Sequence, residues 1–295
     1  MYGLCAAESF VYQERPVGRE QRRERVRRRV FGSRHLRRWE RGESIPCGGI
    51  IPIVRIEWHA TIDTTQRRAR ELVEQGDRRY DAVCADHQTA GRGRQGAQWL
   101  DAPGQSLLVS LILWDAPLPE PVGVVGVCAS LATADALEAH YPDLPPVRLK
   151  YPNDLLLHGR KLGGVLAEVV EGVAVVGVGV NLAQGVFPPE LAATAISVGQ
   201  AGGRGVGERV SESERAALIE AIGGSLRGLL KVRRDAPTQV HAFWQARDDT
   251  AGRAYRVQDL PDQPVGVALG VRPDFQLTLR LPSGETYNTY YASAV

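Results

Sequence analysis

The segment TAGRGRQGAQW, residues 89–99, carries the spacing G-x-G-x-x-G at Gly91, Gly93 and Gly96. Glycine supplies 32 of 295 residues, so such a match arises by chance roughly 0.4 times in a chain of this kind, and the flanking sequence has to decide. In a dinucleotide-binding βαβ unit the fingerprint follows a strand and opens directly into a helix whose N-terminus holds the pyrophosphate. An acidic residue stands about twenty positions on. YDAVCADH before the loop reads as a strand, and Asp115 is near the acidic spacing. However, WLDAPG at 99–104 is turn material, and the apolar run SLLVSLILW after it reads as a buried strand rather than a helix. The glycines thus lie between two strands, and the βαβ reading fails. Arg92 and Arg94, alternating with the glycines, are what the fingerprint leaves unexplained. Glycine lets the backbone approach a ligand closely, and two guanidiniums on such a loop can fork onto phosphate oxygens.

Outward from the loop the pattern is orderly. IVRIEW reads as a strand. TTQRRARELVEQG reads as a helix with apolar positions at Ala69, Leu72 and Val73, a cap at Asp63 or Thr64 and a stop at Gly76. PVGVVGVCASLATADALEAHY is an apolar helix ending before Pro142. VRLKY, DLLLHG, KLGGVLAEVV and VAVVGVGVNL follow as strands, and helical patterns return at about 211–231 and 237–248. Residues 249–295 show short alternating strands between Pro-Asp and Ser-Gly turns, the pattern of a small β-barrel. Residues 51–248 form the main α/β domain by this reading. Residues 1–50 hold 12 Arg and 6 Glu with little apolar periodicity and read as a disordered tail. The whole chain carries only +2, so a nucleic-acid-binding role would have to reside in that tail.

Composition removes several classes. No run of 18 apolar residues is present, and the first twenty residues lack a basic segment followed by an apolar one, so a cytoplasmic location is expected and a membrane partner is not. Cys5, Cys47, Cys84 and Cys128 form no C-x-x-C, and neither H-E-x-x-H nor G-x-S-x-G occurs. Only three of the 36 basic residues are lysine, at 150, 161 and 231. Arginine serves elsewhere as the general cation, so Lys150 and Lys161 together invite an explanation specific to a compact ammonium.

Those lysines lie in LKYPNDLLLHGRKLGGVL. Pro152 holds Tyr151 extended, Asn153-Asp154 reads as a turn, and a hairpin through His158-Gly159 would return Lys161 toward Lys150 and Asp154. Such a cluster can stabilise a polyphosphate, with the carboxylate able to take Mg²⁺. Gly177 and Gly179 inside a strand point to close approach by a ligand or another chain segment. Asp63-Thr64-Thr65-Gln66 places small hydroxyls at a strand-to-helix junction.

These four segments, in this order, resemble the biotin protein ligase family over roughly residues 53–290. The family's D-S-T-N corresponds to Asp63-Thr64-Thr65-Gln66, and its Q-x-A-G-R-G-R-x-G-R-x-W to residues 88–99. Its K-W-P-N-D with K-x-x-G-I-L corresponds to 150–166, and its G-I-G-I-N to 177–181. The resemblance implies an α/β fold, a mixed sheet flanked by helices as in lipoate ligases, followed by an SH3-like barrel. It implies a monofunctional ligase without a DNA-binding domain. ATP and biotin would react, with Mg²⁺, to biotinyl-5′-AMP, and a lysine of a biotin carboxyl carrier domain would then take the biotin. Thr64, Thr65, Gln66, Gln88, Arg92, Gly93, Arg94, Lys161 and Gly164 would bind biotin. Arg92, Arg94, Trp99, Lys150, Asn153 and Asn181 would bind the nucleotide, with Lys161, Arg94, Lys150 and Asp154 catalytic and Asp154 holding the metal. The carrier is the expected partner, a homodimer is open, and DNA binding is not expected. A lipoate or octanoate ligase is the alternative within the fold, and a basic-tailed nucleic-acid regulator the alternative outside it. Four positions depart from the family: Thr64 for Ser, Gln66 for Asn, Tyr151 for Trp, and Ala97 where a third loop arginine is usual.

Overall fold

The computed structural model describes residues 54–116 and 118–295. The tail reading for 1–50, with Cys5 and Cys47, lies outside the described residues. The rest belongs to one compact unit, Ile45–Val295.

Seven strands form the main sheet: β1 (Ile56–His59), β2 (Ala82–Ala85), β3 (Ser106–Leu113), β4 (Arg148–Lys150), β5 (Asp154–Leu157), β6 (Arg160–Val170) and β7 (Val173–Asn181). Their order is β1-β2-β3-β7-β6-β5-β4. Only β1 and β2 run parallel; every other pair is antiparallel, so the sheet is mixed. IVRIEW is strand only from Ile56, because Arg55 instead spends its backbone N–H and guanidinium on Asp81 at 2.9–3.0 Å.

All eight residues of β3 are buried, which is why its sequence runs apolar without alternation. Leu107, Val109, Leu111 and Leu113 enter the large core with helices α2 (Val124–His140) and α3 (Glu212–Asp235). On the opposite face, α1 (Thr65–Glu74) packs Ala69, Leu72 and Val73 against Val83, Ile112 and Val175. Each fully buried Leu or Val there contributes about 1.5–3 kcal/mol. Thr64 caps α1, its hydroxyl accepting from Gln66 N at 3.2 Å. Helix α2 is apolar nearly all round and lies buried. Helix α3 is capped by Ser211 and runs four residues past the expected end, to Asp235, with Pro237 beginning α4 (Pro237–Arg247). Cys84 and Cys128 are buried free thiols, pushed up to about 12 by desolvation and so unreactive.

Helix α1 is short, and beyond its N-terminus the sheet face is uncovered by any helix. Cross-strand neighbours there are Ser110, Gly177 and Leu166 in one row, and Gly179, Gly164 and Asp154 in the next. Small side chains in both rows leave the floor of a cavity.

The C-terminal segment forms a separate five-stranded antiparallel sheet: β8 (Ala254–Val257), β9 (Val265–Val271), β10 (Leu277–Arg280), β11 (Thr286–Thr289) and β12 (Ala292–Ala294), ordered β11-β10-β9-β8-β12. Helix α4 joins it to the main sheet. Trp244 stands edge-on to both Phe275 and Tyr151, each at 6.4 Å, and His241 Nε2 donates to Val271 O at 2.8 Å.

Candidate active site

The uncovered sheet face, the 91–99 loop, the β4–β5 turn and the end of β12 enclose a cavity of about 250 Å³. Thr64, Thr65, Gln66 and Gln88 line one end. Arg92, Gly93, Arg94 and Trp99 line it from the loop, and Lys150, Asn153, Asp154, Lys161 and Gly164 from β4, β5, β6 and the turn between β4 and β5. Segments separated by a hundred residues are thus brought to one place. Asn181 is the exception. Its Nδ2 donates to Ile196 O at 3.1 Å and its Oδ1 accepts from Gln184 at 3.2 Å, so it braces the end of β7 and does not line the cavity.

The loop is built as a small hairpin, with Gly93 N donating to Ala97 O at 2.7 Å and Trp99 N to Gly91 O at 3.0 Å. A Cβ on Gly91 would lie 2.6 Å from Trp99 O, so glycine is what lets the hairpin close. Arg94 is half-buried, and among the described residues neither the Arg92 nor the Arg94 guanidinium has a hydrogen bond or ion pair. Burial lowers the Arg94 guanidinium from its ordinary value, with Tyr151, Asp154 and Tyr255 nearby opposing that shift in part. A desolvated cation without a partner beside a cavity is poised for an anion. Trp99 lies against the sheet, and its buried indole N–H also lacks a partner. The Trp99 ring occupies the space a side chain at 179 would need, since a Cβ on Gly179 would meet Trp99 Cε2 at 2.8 Å. A Cβ on Gly177 would meet Gln66 Oε1 at 2.7 Å. The paired glycines of β7 serve these two side chains.

Between β5 and β6, residues 158–159 form a two-residue turn with φ of 50° and 73°, the left-handed pair that suits a tight hairpin. A bulge after Leu155 pairs Leu156 with Lys161, so Lys161 faces the same side as Asp154 while Leu162 enters the core. The displaced backbone of Lys161 bonds Thr194 O and Ile196 N, at 2.6 and 3.0 Å. Lys161 Nζ and Lys150 Nζ each lie 2.7 Å from a different oxygen of Asp154. Burial pushes the Asp154 carboxyl up, but Lys161 and then Lys150 more than offset this and hold it below its ordinary value. A hard divalent ion needs free oxygen ligands. Both Asp154 oxygens are committed to ammonium groups, and no cluster of three acidic, His or Cys residues among the described residues could hold a metal. Asp154 therefore does not fit the metal role expected of it; it is the counter-ion that spaces two lysines. Asn153 likewise spends its amide on Val165 O, fixing the turn.

Three parts of the site were not read from the sequence. Ser110, fully buried, lies 3.0 Å from Thr65 Oγ1 and donates to Gln66 Oε1 at 2.9 Å. Its signal was a hydroxyl in an otherwise apolar strand, which must find a partner. Ser293 and Ala294 of β12 line the cavity. Tyr255 OH donates to Tyr151 O at 2.7 Å and Tyr151 N to Thr250 Oγ1 at 3.0 Å, so the C-terminal sheet holds the lysine-bearing turn from behind. No local pattern announces a contact made over about a hundred residues.

The model of the Biotin/lipoate A/B protein ligase family matches residues 58–184. The chain is 33% identical over 202 residues to the biotin–[acetyl-CoA-carboxylase] ligase of Mycobacterium tuberculosis, covering 67% of this chain and 72% of that one. The chain belongs to the biotin protein ligase family. It is 30% identical over 245 residues to the bifunctional ligase/repressor BirA of Bacillus subtilis, covering 77% of this chain and 70% of the relative. Among solved structures, the biotin protein ligase of Aquifex aeolicus in complex with biotin and ATP is 22% identical. It superposes with a TM-score of 0.63, over 82% of this chain and 98% of that one, a likeness of fold. As a biotin protein ligase family member this chain is a ligase, with the family's mixed sheet.

Proposed function

We propose that this chain is an ATP-dependent biotin–protein ligase, which activates biotin as biotinyl-5′-AMP and transfers it to a lysine of a biotin carboxyl carrier domain. The observation that carries the reading is the polarity of one cavity. A hydrogen-bonding end, Thr65 with Gln88 over Ser110, faces a cationic end of Arg92, Arg94, Lys150 and Lys161. Gln88 Oε1 accepts from Thr65 N at 2.7 Å, which turns its amide N–H toward a ligand carbonyl. A ureido ring matches such a wall, and the carboxylate at the far end of the ligand reaches the cations.

In the first step an oxygen of the biotin carboxylate attacks the α-phosphorus of ATP and the bond to pyrophosphate breaks. Negative charge grows on the phosphoryl oxygens, where Arg94 and Lys161 are already desolvated or fixed in place. One such positioned group is worth on the order of 10²-fold in rate. In the second step the carrier amine attacks the acyl carbon and AMP leaves, its phosphate held by the same cations. Asp154 keeps Lys150 and Lys161 together against their mutual repulsion. The trapped intermediate would lie under the 91–99 loop, with Trp99 beside it. Residues 51–248 act as the catalytic domain. Residues 249–295 act as an SH3-like barrel that closes the nucleotide side with β12, and the chain works in the cytoplasm.

A lipoyl or octanoyl head group would leave the Gln88 amide and Thr65 hydroxyl unmatched, which sites of this kind penalise. A regulator acting through residues 1–50 would lose its activity when they are deleted; a ligase would keep it. The direct test is exchange of labelled pyrophosphate into ATP, by the full chain and by the chain lacking 1–50. Exchange that depends on biotin in both is the expected result. Exchange with lipoate or octanoate alone, or loss on deletion, would overturn the proposal.

A further inference from the structure

One wall of the cavity carries Gln66, Ser110, Thr65 and Gln88, each bonded to the next, and Glu168 outside the lining extends the series beyond Gln66. Gln66 Nε2 donates to Glu168 Oε2 at 3.1 Å and to Val175 O at 3.3 Å. Two acceptors on that side fix which end of the carboxamide is which, so Oε1 faces Ser110 at 2.9 Å. Gly177 gives Oε1 the room to be there. Ser110 is fully buried, so its single proton cannot go to water, and it is the only donor to Gln66 Oε1 among the described residues.

Proton counting then settles the rest of the wall. With the Ser110 proton committed to Gln66, Ser110 cannot donate to Thr65. The Thr65 proton goes to Ser110 Oγ at 3.0 Å or to Gln88 Oε1 at 3.1 Å, both of them protein atoms. What Thr65 offers the cavity is lone pairs. We propose that Gln66 is a specificity-determining positioning residue: its carbonyl oxygen takes the Ser110 proton, keeps Thr65 an acceptor, and so selects a head group that brings N–H donors. A cyclic ureide has two of them; a dithiolane has none, and a ring alkylated at one nitrogen has lost the donor there. This rests on the biotin reading of the cavity and assigns its selectivity to a residue that acts through Ser110 and Thr65.

Without the Gln66 carbonyl, Ser110 turns its proton to Thr65 and fills the lone pair a ligand would use. Removing the Ser110 hydroxyl as well takes away that competitor. The experiment is calorimetric titration of the full chain with biotin, with biotin methylated at a ureido nitrogen, and with lipoate. Wild type favours biotin. Gln66→Met shrinks its advantage over the methylated ligand by about 3- to 10-fold, the worth of one directed hydrogen bond. Gln66→Met with Ser110→Ala restores most of that advantage, and Ser110→Ala alone, the smaller change should Gln66→Met not fold, retains it. Equal weakening of both ligands in Gln66→Met, no restoration in the double variant, or collapse in Ser110→Ala would overturn the role of Gln66 and leave the ligase reading standing. A wild type that binds lipoate and not biotin would overturn both.

Discussion

Gly179→Ala tests the close approach of Trp99 to the sheet. A Cβ at 179 would lie 2.8, 3.0 and 3.2 Å from Trp99 Cε2, Cζ2 and Cδ2, with no backbone atom among these nearest neighbours. Ordinary carbon contacts fall at about 3.5–4.0 Å, so the ring must retreat by roughly 1 Å and carry the 91–99 hairpin with it. Forced overpacking of this size costs about 1–3 kcal/mol. Strand β7 is held by β3 and β6 along its length, whereas the hairpin is held by a few bonds, so the hairpin gives way. Expressed as binding, the penalty is a loss of about 5- to 150-fold in affinity for the nucleotide or the adenylate. Gly126→Ala is the control: within helix α2 its Cβ would meet nothing nearer than Ala167 at 3.8 Å, and alanine there is neutral or favourable. Calorimetry with ATP after biotin, beside thermal melting, separates the two effects. Wild-type affinity in Gly179→Ala would refute the placement of Trp99, and global unfolding would refute the claim that the hairpin absorbs the strain.

Three further outcomes follow from the site. Lys161→Arg should lose on the order of 10²-fold in adenylation rate, because the planar fork cannot take the place of an ammonium 2.7 Å from Asp154 on a bulged strand; wild-type pyrophosphate release would contradict this. Asp154→Asn should lower the melting temperature at neutral pH, since it leaves Lys150 and Lys161 facing each other. The native Asp154 carboxyl is depressed below its ordinary value, so its stabilisation is complete above about pH 4 and fades as pH falls through the native value. The gap between wild type and variant should therefore narrow in acid, and a gap independent of pH would refute the ion pairing. Tyr255→Phe removes the bond to Tyr151 O and should cost about 1 kcal/mol in urea unfolding, with a fall in turnover that biotin affinity does not share.

Much of the site was legible because its chemistry is local. The hairpin at His158-Gly159 was readable from two turn residues, and with it the meeting of Lys150, Asp154 and Lys161. The rarity of lysine drew attention to the same pair. The bulge that turns Lys161 toward Asp154 was not readable, since register depends on how β5, β6 and the 194–196 segment share hydrogen bonds. The glycines at 177 and 179 announced a close approach but not its partner, and the partners are Gln66 and Trp99 from distant segments. For Asn181 and Asp154 the motifs do not announce what the fold pairs them with: Ile196 O and Gln184 bond the Asn181 amide, and two lysines pair with Asp154. The departure at Gln66 became intelligible only when its carboxamide was seen between Glu168 and Ser110.

In the proposed reaction one cavity joins biotin to ATP and hands the product to a carrier lysine. Intact-mass spectrometry of a biotin carboxyl carrier domain, incubated with the full chain, biotin and magnesium ATP, tests it most directly. A single biotinyl addition is expected, one that needs ATP and vanishes when the carrier's acceptor lysine is replaced by arginine. An unmodified carrier, or one that gains a lipoyl or octanoyl group instead, would contradict it.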